Sequence, residues 1–501
     1  MPTPYPEYWP ESSWVALLLL AVGFLYLLHI NRLLSSTPVE VEKLASRRWT
    51  HQQIRQVYRR LDEQPLDVKS CASKLPPKLE RRYIVTGGSG LVGGYIVLQL
   101  VARGQAPESI RIVDFQKPHR PDMLTGPAAD VGFVRADISS AASTDAAFSA
   151  PWHATVASLP LTVFHTAAVI VPSDRSKLVY GFCDSVNVRG TGHVLSAAKV
   201  AGADIFVATS SASISIRPVE FWVPPWRLGC WPRHYFQVLD EADFFKPSRR
   251  HEEFFSNYPA SKAVAERKVC AENSPHFRTG CIRPANGIYG NPTDNTVGGP
   301  LNMQTYPSWT GHIVQSFVHG LNCAVAHLQF EAVLARPDSA SAPQAGRPFT
   351  VTDPNPPVTY GDLYLLLRTL TVTPFRIIWL PPLPMLLLSY IIEAYSLLRV
   401  RFPVTQYILP EISGDIKHLK PALFSITTHL VANNAAASRP VDEGGIGYRG
   451  ILSTLEGMCQ EVLDWNREHL ESNGNGKVYS SSVRLAEEIQ KLGPLATTIQ
   501  T

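Results

Sequence analysis

The stretch Arg82-Tyr83-Ile84-Val85-Thr86-Gly87-Gly88-Ser89-Gly90-Leu91-Val92-Gly93 constrains this chain more than any other. Tyr83, Ile84 and Val85 form an apolar, β-favouring run of the kind that makes a buried parallel strand. The run breaks at a glycine turn, and the apolar stretch Leu91–Val101 then predicts a helix. Gly87, Gly90 and Gly93 stand at G-x-x-G-x-x-G spacing. One glycine makes the tight turn, one lets backbone N–H groups approach a pyrophosphate, and one lets helix pack on strand. The helix N-terminus, at Leu91 and Val92, adds its partial positive charge to the same place. A second apolar run, Ile110–Val113, ends in Asp114, where a strand–turn–helix unit of this kind puts the acid for the adenosine ribose hydroxyls. Such an acid disfavours a 2′-phosphate, so NAD is expected rather than NADP.

Strands and helices keep alternating beyond this loop. Gly132–Arg135 predicts a third strand leading to Asp137 and Ile138, an acid-plus-aliphatic pair suited to flanking an adenine. Leu161–His165 predicts a fourth, running into Thr166-Ala167-Ala168, whose small side chains allow close passage of a cofactor ribose. Val179–Val200 reads as one long helix containing Asn187. Asp204–Ala208 predicts a fifth strand, ending in Thr209-Ser210-Ser211. Alternation of this type predicts a doubly wound parallel sheet of Rossmann type, with ligands outside the carboxyl ends of its strands. The segment Pro218–Phe245 breaks the rhythm with Trp222, Trp226, Trp231, Phe221, Tyr235 and Phe236. So long a connection is more often functional than idle. It reads as a flap over an apolar substrate, with a surface loop packing its own aromatics as the alternative.

Asn257-Tyr258-Pro259-Ala260-Ser261-Lys262 opens a further helix through Cys270. Tyr258 and Lys262, at i and i+4, share one helical face. A phenol of ordinary pKa, about 10, is a poor base at neutral pH. A nearby ammonium and the positive nicotinamide ring of NAD⁺ would stabilise the phenolate and lower that pKa. Lys262 can also hold the ribose, and Ser211 can hydrogen-bond a substrate oxygen beside Tyr258.

Composition narrows the partners. Charged residues make up 18% of the 501 and the net charge is +4, with no basic stripe, so nucleic-acid binding is not supported. The seven cysteines, at 71, 183, 230, 270, 281, 323 and 459, form no C-x-x-C pair. That argues against a disulfide framework or a zinc site, and no metal is expected. Trp14–Leu28 is an unbroken apolar run, extended past His29 by Leu33 and Leu34 and followed by Arg32, Arg47, Arg48 and Arg55. It lacks the basic n-region and small-residue cleavage site of a signal peptide, so an uncleaved anchor is expected. The basic flank places the bulk of the chain in the cytosol. Ile377–Leu398 is also very apolar, but Pro381, Pro382, Pro384 and Glu393 interrupt it. A monotopic helix dipping into the membrane face is expected there, with Arg399 and Arg401 among the headgroups.

Together these motifs resemble the extended short-chain dehydrogenases. Within them the chain is similar to the 3β-hydroxysteroid dehydrogenase branch, which includes the sterol-4α-carboxylate 3-dehydrogenases (decarboxylating). The resemblance rests on TGGSGLVG (Thr86–Gly93), Asp114, HTAA (His165–Ala168), NVRGT (Asn187–Thr191), TSS (Thr209–Ser211), YPASK (Tyr258–Lys262), RPANGIYG (Arg283–Gly290) and FVHGLNCAVAHL (Phe317–Leu328). It implies Ser211, Tyr258 and Lys262 as the catalytic triad, Asn187 as support for the proton relay, and Pro284 near the nicotinamide. The family usually carries H-V-D-N where this chain has His319-Gly320-Leu321-Asn322, a departure that weakens the subfamily assignment more than the chemistry.

The expected organisation is an anchor over 1–35, a polar spacer over 36–80, and an NAD-binding domain over 81–290. A smaller α/β substrate domain over 291–470 would follow, with the apolar segment 377–398 inside it, and then a mobile tail over 471–501. The implied activity is NAD-dependent oxidation of a ring-A 3β-hydroxyl of a lipophilic sterol or triterpenoid, with loss of a C4 carboxylate as CO₂. A dehydrogenase/Δ5-Δ4 isomerase and a non-catalytic NAD-binding scaffold are the rivals. The resemblance further implies an endoplasmic-reticulum membrane and, as partners, other enzymes of a C4-demethylation complex.

Overall fold

Alternate residues of the first strand point to opposite faces, and here both faces are covered. Tyr83 and Val85 enter one apolar cluster and Ile84 another, each 0% exposed. That is why the strand reads as a continuous apolar run rather than an alternating one. The computed structural model describes residues 11–66 and 68–471 together with positions 479 and 490.

The large sheet comprises β1 (Arg82–Thr86), β2 (Ile110–Asp114), β3 (Gly132–Arg135), β4 (Leu161–His165), β5 (Ala203–Thr209), β6 (Arg278–Pro284) and β7 (Pro348–Val351). Its order is β3-β2-β1-β4-β5-β6-β7, parallel throughout. The order reverses between β1 and β4, so the ligand crevice of a doubly wound sheet opens at those strand ends.

Among the helices that pack on this sheet or frame its surroundings are α1 (Glu11–Leu34), α2 (Leu91–Ala102), α3 (Asn257–Ala271), α4 (Gly320–Leu334), α5 (Pro382–Arg401) and α6 (Thr454–Glu471). α2 and α4 cover one face of the sheet through Ile96, Leu100, Leu328 and Phe330. Val194 and Leu195, with Val269 of α3, cover the other. Each such side chain contributes about 2 kcal/mol by leaving water. The expected helix Val179–Val200 is not uniform. It carries a π-helical stretch, Asp184–Gly190, ahead of Thr191–Val200, and Asn187 lies in that stretch.

A second sheet joins Val358–Thr359, Val314–Gln315, His429–Ala432 and Phe236–Leu239. The aromatic insertion therefore feeds a strand into the C-terminal half. Val219, Phe221, Val223 and Tyr235 are buried against Ile30 and Leu34 of α1, Leu383 and Leu386 of α5, and Phe424. Tyr235 Oη donates to the Leu34 carbonyl at 2.8 Å, and Tyr26 Oη to that of Val223 at 2.9 Å. The expected flap is thus corrected: Val219, Phe221, Val223, Trp231 and Tyr235 grip the base of the N-terminal helix, while Trp222, Trp226, Leu228, Val238 and Phe245 stay exposed.

The polar spacer is corrected too. Its helix His51–Glu63 buries Ile54 and Leu61 in one cluster with Leu455, Met458 and Val462 of α6. Arg60 pairs with Glu456 at 2.5 Å and Arg48 with Asp362 at 2.8 Å. The apolar segment 377–398 divides. Arg376–Trp379 is a strand paired with Thr305–Ser308, and the helix begins only at Pro382, where proline needs no hydrogen-bond partner for its nitrogen. Of the tail, only Glu471, Tyr479 and Gln490 lie within the described residues.

Among the described residues, two helices are long and apolar enough to cross a membrane. α1, at 24 residues, extends about 36 Å. Only 6% of its apolar window is buried in the protein, against 28% for α5. α5 lays Leu383, Leu386, Ser389 and Ile392 on the body and leaves Ile391 66% exposed. Arg175 clamps its Glu393 bidentately, at 2.8 and 2.6 Å.

Candidate active site

Three successive residues at the end of β5 meet three successive turns of α3. Lys262 Nζ donates to the Thr209 carbonyl at 2.5 Å, and Ser210 Oγ donates to Glu266 Oε2 at 2.5 Å. Ser211 faces the Tyr258 phenol closely enough to favour its anion. Ser211 Oγ also lies 2.7 Å from Ser213 Oγ and accepts from the Ser213 N–H at 3.2 Å, which seats it at the start of a tight turn. Tyr258 is partly exposed, whereas Lys262 is buried at 6% exposure.

The electrostatics differ from expectation. Burial pushes Tyr258 up to about 12, opposed by the Ser211 hydroxyl. Lys262 is pulled down to about 8 by its own burial, against the nearby Cys281 and Glu266. The ammonium is engaged by the Thr209 carbonyl, and desolvation of the phenol outweighs what the pair was expected to do for the phenolate.

The glycine loop folds as its spacing requires. A Cβ on Gly93 would lie 2.3 Å from the Gly87 carbonyl oxygen, and one on Gly87, whose φ is +71°, 2.6 Å from the Ala167 nitrogen. Gly87 and Ala167 therefore meet across the β1/β4 switch point, with Ala168 next in the chain. Gly90 caps α2, and Leu91 and Val92 form its first turn. Asp114 ends β2 and accepts from the Ser89 N–H at 3.0 Å and from the Gln116 N–H at 3.3 Å. Loop, carboxylate and switch point thus suit a dinucleotide: close backbone, a helix N-terminus, and an acid beside the loop.

Other expected residues settle nearby. Asp137 caps its own turn by accepting from the Ser139 N–H at 2.9 Å, and Ile138 is buried against Gly190. Pro284 is the last residue of β6, at the same carboxyl edge. Asn187 accepts from the Val169 N–H at 2.9 Å and donates to Ser261 Oγ at 3.0 Å. Its side chain braces α3 against the β4 end, rather than touching Ser211, Tyr258 or Lys262. His165, in the HTAA motif, sits between Thr86 Oγ1 at 2.7 Å and Thr191 Oγ1 at 2.9 Å. Burial, aided by the Lys262 charge, holds it near 3 and hence neutral.

The sequence reading missed the network beneath this site. Arg283, 1% exposed, grips Glu266 through Nε at 2.8 Å and Nη2 at 2.5 Å, and Asp243 through Nη1 at 2.6 Å. Burial opposes the Arg283 charge, but these two carboxylates raise its pKa overall. The signal was present: Glu266 follows Lys262 by four residues on the same helical face.

Comparison with known proteins fits this geometry. Residues 84–218 match the 3-beta hydroxysteroid dehydrogenase/isomerase family. Human 3 beta-hydroxysteroid dehydrogenase type 7 is 29% identical over 216 residues, 42% of this chain and 50% of the relative. Human sterol-4-alpha-carboxylate 3-dehydrogenase, decarboxylating, is 29% identical over 232 residues, 46% of this chain and 50% of the relative. The chain thus spans about half the length of these two relatives. An epimerase from Methanothermobacter thermautotrophicus shares the fold at 15% identity and TM-score 0.50, over 81% of this chain and 96% of its own. The Gly320 part of the 319–322 departure has a local cause. At Gly320, where the family usually carries valine, a Cβ would lie 2.7 Å from the Tyr95 ring.

Proposed function

We propose that this chain is a membrane-anchored, NAD-dependent 3β-hydroxysteroid dehydrogenase acting on a sterol, with loss of CO₂ when the substrate carries a C4 carboxylate. The observation that carries the reading is the gathering of Ser211, Tyr258 and Lys262 where α3 meets the end of β5, at the carboxyl edge of a parallel sheet whose first loop suits a dinucleotide. Gly87, Gly90, Leu91, Val92 and Gly93 would hold the pyrophosphate, Asp114 the ribose, and Asp137 and Ile138 the adenine. Ala167, Ala168, Lys262 and Pro284 would lie along the nicotinamide half. When bound, NAD supplies the two-electron acceptor and a positive ring charge near the phenol.

The protein's own residues manage the proton. Ser211 fixes the substrate hydroxyl beside Tyr258, and Tyr258 takes its proton. A phenol near 12 ionises rarely at neutral pH. The Ser211 hydroxyl and the Lys262 ammonium both favour its anion, as does the cofactor charge. Oxidation at C3 places a ketone β to a C4 carboxylate. CO₂ then leaves without a further catalytic residue, because the ketone accepts the electron pair.

Sterols partition into lipid, which agrees with the exposed apolar faces of α1 and α5, and the basic residues at the end of α1 and beyond it, Arg32, Arg47 and Arg48, favour a cytosol-facing catalytic domain. The test is the full chain in lipid nanodiscs with NAD⁺ and 3β-hydroxysterols with and without a 4-carboxyl group. NADH and CO₂ in equal amounts from the carboxylated substrate support the proposal. A Δ4-3-ketone from a Δ5-3β-ol without CO₂ would favour the isomerase activity named in the family's description. No NADH from any of them would refute a dehydrogenase.

A further inference from the structure

Three contacts join the end of β5 to α3, and the one made by Ser210 has no part in the proposed chemistry. Thr209 meets Lys262, Ser210 meets Glu266, and Ser211 meets Tyr258. Glu266 and Ser210 are 3% and 4% exposed. The same carboxylate takes both nitrogens of the buried Arg283, the residue before Pro284 on β6. Arg283 in turn holds Asp243 and the Asp240 carbonyl, at the far end of the aromatic insertion. One carboxylate therefore joins the three pieces of backbone that carry Ser211, Tyr258 with Lys262, and Pro284.

We propose that Ser210 and Glu266 are positioning residues: their hydrogen bond sets the register of the β5 end against α3, so that Ser211 meets the Tyr258 phenol. The Thr209 and Ser211 contacts alone leave the strand end free to shift. Lys262 bonds a carbonyl oxygen, which accepts over a broad range of directions, and Ser211 is also drawn toward Ser213 at 2.7 Å. The Ser210 contact ends on a buried carboxylate that Arg283 itself holds at both oxygens, so its acceptor is fixed in place. This inference rests on the dehydrogenase reading for its consequence in turnover, but not for its geometry.

Glu266→Gln would leave Arg283 without its charged partner in the interior and can fail to fold. The test is therefore read on Ser210, which carries register without charge. In the full chain in nanodiscs, Ser210→Ala should lower kcat about tenfold, with KM for NAD⁺ unchanged and a thermal midpoint lowered by only a few degrees, so that the protein stays folded at the assay temperature. Ser210→Thr, which restores the hydroxyl, should recover most of the loss. Independently of turnover, hydrogen–deuterium exchange over residues 209–216 should quicken several-fold in Ser210→Ala and return toward wild type in Ser210→Thr. An unchanged kcat in Ser210→Ala, a loss that tracks loss of folded protein, or a Ser210→Thr that folds but stays slow would overturn the proposal. If the wild type oxidises no 3β-hydroxysterol, the function fails while exchange still decides the register: unchanged exchange in Ser210→Ala refutes it.

Discussion

In the parallel sheet, Tyr83, Ile84 and Val85 are covered by helices of the same domain, and every strand runs in one direction. At the base of α1, Ile30 and Leu34 are just as buried, at 0% and 3% exposure. Their cover, however, comes from the aromatic insertion, α5 and Phe424, all distant in sequence. A parallel sheet dictates what lies on its faces, because βαβ crossovers place helices there. An apolar helix dictates only that something apolar will meet it, be it lipid or protein. The two regions therefore differ in how far a local signal determines the contact, and the chemistry sits in the region where it determines most.

Four changes should separate or sharpen that contrast. The largest effect belongs to Tyr258→Phe, which keeps the ring and removes the proton acceptor. It should cut kcat about a thousandfold with little change in thermal midpoint. Steady-state kinetics beside thermal unfolding check this, and an equal loss of stability would make Tyr258 a packing residue.

Gly93→Ala comes next. Its methyl would meet the Gly87 carbonyl at 2.3 Å and Thr166 Oγ1 at 2.7 Å, so backbone must move. A loss of about 3 kcal/mol in chemical unfolding is expected, together with loss of NAD⁺ binding by isothermal titration. A mild effect on both would mean that the loop is looser than the sheet it follows.

The third change is acidification. His165 is 2% exposed, and its pKa falls from the ordinary 6.5 to about 3. The unfolded chain therefore takes the proton first. The contribution is intact above pH 6.5 and is lost as the pH falls from there through about 3. At pH 5 it amounts to about 2 kcal/mol. Denaturant unfolding at pH 7 and pH 5 should show a pH dependence smaller by that amount in His165→Gln than in wild type. His312 and His429, beside Tyr235 on the anchor side, are pulled down to about 4 and about 3 by burial. They should act in the same direction, and a pH effect confined to one region would break the parallel.

Arg175→Ala is the mildest. Arg175 is 41% exposed in its side chain and Glu393 12%, so the pair contributes about 1 kcal/mol at most. Its loss should raise hydrogen exchange in α5 while leaving β1 and β4 untouched. Faster exchange in the large sheet would show that the two regions are coupled.

Much of the sheet region was legible because its signals are local. Gly132–Arg135 and Leu161–His165 coincide with β3 and β4, where turn residues bound β-favouring runs. The i, i+4 spacing placed Tyr258 and Lys262 on one face, and the glycine spacing placed the loop. What stayed hidden depends on partners far away in the chain. Nothing local shows that Phe221 will pack on α1 and α5, or that Arg376–Trp379 will pair with Thr305–Ser308. The Tyr258 phenol went the other way from expectation because burial is a property of the assembled site. Asn187 braces Ser261 because a π-helical stretch, invisible in the residue pattern, carries it there.

The central claim is that Tyr258, steadied by Ser211 and Lys262, deprotonates a 3β-hydroxyl as C3 is oxidised. It is tested most directly with a 3β-hydroxysterol deuterated at C3, incubated with NAD⁺ and the full chain in nanodiscs. The account predicts one deuterium in NADH for each 3-ketone formed, and none with Tyr258→Phe. A ketone formed without deuterium in NADH, or equal label transfer by Tyr258→Phe, would contradict it.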